Sequence, residues 1–199
     1  MGWLRCAVRP YDGDRGIFWP SALSLLMLVT MDPAEYLPFI PLLFYGIAMA
    51  DLLGQWKRFF DRSYLYLPYF LTTIMMTEVA IWNVYLYLNM LDQLKGIGYF
   101  AYWLHLVQPM LFLICVSALT PDSDTKDTKE YFDGRLTIVY GLLAAFVASH
   151  FLPAFYADSH LDLTRFAGIA LCLVIAITRR PWMVYVMVVV WASGILARI

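Results

Sequence analysis

Three runs of roughly 20 mostly apolar residues follow one another in the first two-thirds of the chain, at about 37–56, 64–91 and 98–119. That is the length a helix needs to cross a bilayer, because a rise of about 1.5 Å per residue has to cover about 30 Å of hydrocarbon. Stretches at about 135–156 and 164–178 read the same way. So does a sixth at about 181–198, where Pro181 can open a helix because its first-turn N–H has no partner anyway. Inside a bilayer each backbone polar group has to be satisfied within its own segment. The expectation is therefore an all-α fold: a polytopic transmembrane helical bundle of about six spanning helices. The composition agrees, with 62% hydrophobic and 15% charged residues, where a soluble domain is nearer half apolar and a quarter charged. A net charge of −1 offers no basic surface for nucleic acid. The expected partners are the lipid bilayer and either a second copy of the chain or another component of a membrane complex.

Charges between the runs suggest how the chain is threaded. Taking alternate connections together, one set carries Lys57, Arg58, Arg62, Lys126, Lys129, Arg135, Arg179 and Arg180, and the other only Lys95 and Arg165. Positive residues collect on the cytoplasmic side, which places the first set there. The N-terminus is less determined. Residues 17–31, "IFWPSALSLLMLVTM", are apolar but short for a span, and Arg5, Arg9 and Arg15 precede them. An extra crossing, a signal-like segment without an A-x-A site, and translation beginning at Met31 are all open readings. The expected division is an N-terminal extension over 1–35, its short apolar segment read as an interfacial helix or an extra span, and a single bundle domain over 36–199.

The informative residues are the polar ones inside the apolar runs, since a charge at the bilayer centre costs at least about 2.5–3.5 kcal/mol and turns toward the bundle interior. Glu78 lies deep in the second run, with Trp82, Tyr85 and Asn89 at helical spacing on its face. His105 and Gln108 in the third run and His150 near the end of the fourth fall at a similar depth. Glu78, His105, Gln108 and His150 are thus expected to form a polar cluster, serving packing or an ion or proton path. Asp51, near the end of the first run, either reaches interfacial water or pairs with Arg58. His105 and His150 at matched depth raise the alternative of a haem- or metal-binding electron-transfer protein. No metal site and no cofactor are assigned.

Other signals are weak. "DSDTKDTKEYFD" places Asp122, Asp124 and Asp133 like calcium ligands, but Asp127 stands where an EF-hand loop needs glycine. Asp127 or Thr128 reads better as the cap of a lead-in to the fourth helix. Cys6, Cys115 and Cys172 have no CxxC spacing, and the latter two read as small hydrophobes. Gly141, Ala145 and Ser149, and likewise Gly168, Cys172 and Ala176, form small-residue ridges that would let two helices approach closely. The GxSxG, HExxH, Walker and Rossmann patterns are missing, so the reading leans away from an enzyme.

"GIAMADLLGQWKRF" (46–59), "TEVAIWNVYLY" (77–87) and "QPMLFLICVSALTPD…EYFDGR" (108–135) give the chain a family likeness. It resembles a recurrent family of small, uncharacterised bacterial multi-pass inner-membrane proteins over roughly residues 36–155. The resemblance implies a layout and a bacterial inner-membrane setting, and carries no activity and no site residues. The functional expectation is a non-enzymatic membrane protein: a small transporter- or channel-like subunit, or an accessory component of a membrane complex.

Overall fold

A computed structural model describes residues 39–61, 64–89, 98–122, 127–152 and 162–196. All belong to the unit Pro33–Ile199. The short apolar segment at 17–31, Cys6, Arg62, Lys95, Asp124, Lys126 and His160 lie outside the described residues. The described residues form six helices: α1 Phe39–Phe59, α2 Leu67–Asn89, α3 Tyr99–Leu119, α4 Thr128–Ser149, α5 Asp162–Thr178 and α6 Met183–Leu196. The first four, of 21, 23, 21 and 22 residues, are long and apolar enough to cross a membrane. At 17 and 14 residues, α5 and α6 are shorter.

Local chemistry explains where these helices begin and end. Pro41 and Pro68 fall in the first turns of α1 and α2, where backbone N–H groups have no intrahelical acceptor to lose. Asp127 caps α4: its Oδ1 accepts from the backbone N–H of Lys129 (2.8 Å) and of Glu130 (3.1 Å). This cap carries α4 well ahead of the apolar run expected from residue 135. At its far end α4 stops at Ser149, short of the expected 156, and His150 is its C-cap. Helix α5 ends on Arg179 at φ 52°, a left-handed conformation usually taken by glycine. Arg179 is held there twice, by its N–H to Ile175 O (2.9 Å) and by its Nε to Thr137 Oγ1 (3.0 Å).

The six helices close a ring in the order α1, α3, α4, α5, α6, α2 and back to α1, with α2 also touching α4 across it. One end gathers the α1–α2, α3–α4 and α5–α6 connections. There Arg58 donates to Asp122 O (2.6 Å), Tyr131 to Thr120 O (3.0 Å) and Tyr66 to Asp133 (3.0 Å). This end also carries Lys57, Lys129, Arg135 and Arg180, and is called the basic end below. Between α4 and α5, Cys172 and Ala176 are buried and Thr137 donates to Ala176 O (2.8 Å), while Ala145 is exposed. The ridge on α5 is used; that on α4 only in part.

Inside the ring lie Tyr45, Tyr69, Tyr140, Phe112, Phe132 and Phe146, all fully buried. On α2 the buried positions Tyr69, Thr72, Met76, Ala80, Asn83 and Tyr87 recur every three or four residues, so one face turns inward. That face is not the expected one. Tyr85 is 56% exposed and Asn89 is exposed as well, so the Trp82–Tyr85–Asn89 stripe looks outward. The apolar residues of α2 gave no clue to its rotation, because both of its faces are apolar.

Candidate functional site: a polar cluster between α2, α3 and α4

Near the end of the bundle opposite the basic end, three helices contribute one side chain each to a continuous hydrogen-bonded chain. Gln108 of α3 donates from Nε2 to Asn83 Oδ1 of α2 (2.8 Å), and the same nitrogen meets His150 Nε2 at the end of α4 (2.8 Å). The chain is anchored at both ends on backbone carbonyls one turn back. Asn83 Nδ2 donates to Val79 O (2.8 Å), and His150 Nδ1 lies 3.0 Å from Phe146 O. A carbonyl can only accept, so Nδ1 of His150 carries the proton and its Nε2 is an acceptor. Both hydrogens of the Gln108 amide are then used, one on each neighbour. Every donor and acceptor direction in the chain follows from its two ends.

Local structure puts these groups in place. Phe146 O belongs to the last turn of α4, whose carbonyls have no intrahelical N–H donor, and the Ser149 hydroxyl (2.6 Å) and the His150 ring both serve it. The same ring sits edge-on to Phe146, with centroids 4.9 Å apart. On α3, Pro109 has no N–H, and the carbonyl of His105 would lose an intrahelical partner to it. Tyr87 OH of α2 donates to that carbonyl (3.1 Å). Pro109 thus creates an acceptor that ties α2 to α3, one turn from the Gln108 link. Asn83, His105 and Gln108 are 2%, 4% and 6% exposed, so the cluster is interior.

Of the expected site residues, Gln108 and His150 are joined directly, and His105 enters through its backbone. Glu78 goes elsewhere: its Oε2 accepts from Trp191 Nε1 of α6 (2.9 Å), on the α2–α6 seam. Depth was a poor guide here, because α2 turns Asn83 to the interior and leaves Glu78 half-buried at the side. Asp51 does not pair with Arg58, whose guanidinium is on Asp122 O; it is exposed on α1. Asn83 is not among the expected residues, although its spacing from Met76, Ala80 and Tyr87 marks the same helix face.

Nearer the basic end the α2–α4 seam carries two more polar pairs. Thr72 donates to Pro68 O (2.8 Å), so Tyr140 OH is the donor in their 3.0 Å contact. At the basic end, just ahead of the first residue of α2, Tyr66 OH donates to Asp133. Burial, and then this bond, push the Tyr66 phenol well above its ordinary range. A raised folded-state pKa means that the bond contributes fully below the unfolded value near pH ~10 and is lost as pH rises through the folded one. Tyr66→Phe should therefore lower the unfolding midpoint at pH 8, with the gap to wild type narrowing above pH ~10. A gap constant across that range in thermal scans would contradict this assignment.

A bis-histidine haem needs ring nitrogens turned to the iron. Those of His150 already meet Phe146 O and Gln108, so ligation would break the cluster. Among the described residues, no group of three or more His, Cys, Asp or Glu side chains is placed to hold a metal ion. No family model, curated protein or solved structure matches the chain.

Proposed function

We propose that this is a non-enzymatic integral membrane protein, a small transporter- or channel-like subunit, with the Asn83–Gln108–His150 chain as its polar centre. In this reading the helices cross a bacterial inner membrane several times with the basic end in the cytoplasm, as the distribution of Lys and Arg favours. The observation that carries the proposal is the meeting of three interior polar side chains from three helices. Polar groups turned into a bundle interior mark ion and proton routes in membranes. His150 can take up or release a proton at its Nε2, and Gln108 and Asn83 continue a hydrogen-bonded line from it. Toward the basic end, Thr72–Tyr140 and Tyr66–Asp133 extend polar groups along the same seam.

The test is dissipation of a pH gradient by the purified protein in liposomes. Wild type should dissipate it faster than empty vesicles, and His150→Phe should slow it at least about tenfold, as expected for loss of a relay group. Glu78→Gln should keep the wild-type rate, because an amide oxygen still accepts from Trp191. Wild-type vesicles no leakier than empty ones would sink the transport reading and leave an accessory role in a membrane complex.

A further inference from the structure

The outer face of α1 inverts the usual arrangement of a membrane helix. Lipid-facing positions ordinarily carry large apolar side chains, and small residues lie where helices approach one another. On α1 Gly46, Ala50 and Gly54 are all exposed and stand four residues apart, in one line. A Cβ built at Gly46 or at Gly54 would meet nothing within 4 Å. Leu43, Ile47 and Leu53 flank this line and are exposed, so the surface is a shallow trough with raised sides. Two charges lie beside it: Asp51 and Lys57 are exposed and have no polar contact among the described residues. At about 100° per residue, Asp51 is about 100° round from Ala50 on one flank, and Lys57 about 20° round on the other. The two therefore diverge by about 120° and cannot pair within one helix.

We propose that this face is a dimer interface with a second copy of the chain, packed α1 against α1 in parallel about a twofold axis. The small line lets the two backbones approach closely, as small-xxx-small helix pairs do. A twofold axis sets the left flank of one helix against the right flank of the other. Asp51 of each copy then lies along the seam that carries Lys57 of the second copy, and the contact occurs twice. The axial offset of six residues is about 9 Å. A lysine stem reaches across it, since helical side chains lean toward the N-terminus, which for Lys57 is the direction of Asp51. Pairing gives a carboxylate within an apolar span the partner that such groups require. The charges select a second copy: this surface supplies both members of the pair, in complementary positions, from one sequence.

The test is cross-linking and charge reversal on the full chain in liposomes. With Cys6→Ser as background, Ala50→Cys should form a reducible dimer under mild oxidation at least about ten times faster than Ile177→Cys, an outward position on α5; the difference follows from close approach at the small line alone. Asp51→Lys should weaken dimerisation of fluorescently labelled protein at least about tenfold, and adding Lys57→Asp should restore it to within about threefold. Helical content and thermal unfolding of each variant identify any that fails to fold. Single-molecule counting of wild type supplies a readout that needs no substitution. Monomeric wild type, equal cross-linking at the two positions, or no rescue by the double reversal would each overturn the proposal. So would a cysteine at 50 that bridges to Cys6 of its own chain when Cys6 is retained, because the N-terminal extension would then cover the face.

Discussion

Gln108→Leu is expected to lower stability by about 2 kcal/mol, a large loss for a single surface-neutral change of similar volume. The substitution leaves Asn83 Oδ1 and His150 Nε2 without the donor that Gln108 gives each of them. In a water-soluble core two orphaned acceptors would cost about 1–3 kcal/mol apiece. In a bilayer the unfolded reference keeps its helices and finds other partners, so an interhelical bond averages only about 0.6 and reaches about 1.7 kcal/mol. Two such bonds together span about 1.2 to about 3.4 kcal/mol, and about 2 lies near the middle of that doubled range. Gln108→Glu separates hydrogen bonding from shape. A protonated carboxyl has one hydrogen where the amide has two, so it can serve Asn83 or His150 but not both. It should recover no more than about half of the loss. The decisive measurement is a double-mutant cycle of Gln108→Leu with Asn83→Leu, read by SDS-induced unfolding in mixed micelles. Coupling above about 0.5 kcal/mol is expected for directly bonded partners. Independent, additive losses would mean that the Asn83–Gln108 bond contributes nothing of its own.

Much of this architecture was legible because one constraint dominates it. A chain crossing hydrocarbon must satisfy its backbone within helices, and apolar runs of sufficient length mark them. Each of the six helices overlaps one of the runs, α4 with both ends displaced toward the N-terminus, and Asp127 caps α4 as its side chain predicts. Helix rotation was not legible in the same way. On a soluble helix, polarity separates the inside face from the outside; on α2, Ile81 and Leu88 face outward while Met75, Met76 and Ala80 face inward. The few polar residues then have to indicate rotation, and Glu78 is a misleading one. It is satisfied at the side of the bundle by the indole of Trp191, a donor that nothing in the sequence links to it. Asn83, shorter and uncharged, is the residue that turns inward. The His105 carbonyl tells the opposite story, since Pro109 announces in the sequence that a backbone acceptor will need a donor from another helix.

Phe112→Ala should raise proton leak through liposome-embedded protein about tenfold while lowering stability by about 2 kcal/mol, and both effects have one cause. Phe112 is one turn from Gln108 toward the basic end and is fully buried. Its ring lies 5.3 Å from that of Tyr45 and 5.2 Å from that of Phe146. By their rise along α2 and α3, Met76 and Phe112 fall at depths between the Asn83–Gln108–His150 chain and the Thr72–Tyr140 pair, which lie about 16 Å apart along α2. Because lipid is as apolar as the bundle interior, unfolding within the bilayer gains Phe112 no contact with water to avoid. The stability loss is therefore mainly the cavity term, about 24 cal/mol per Å³ over a void of roughly 100 Å³. A void between two sets of polar groups can hold water, as a purely apolar one cannot. Water there would bridge His150 and Gln108 to the hydroxyls nearer the basic end, undoing a constriction of the kind that closes pores by excluding water. Phe112→Leu keeps most of the volume and stays dry, so its leak should match wild type while its stability falls by less. If Phe112→Ala is destabilised but leaks no faster than Phe112→Leu, the seam between α2, α3 and α4 is not a route, and its polar groups serve only to hold the helices together.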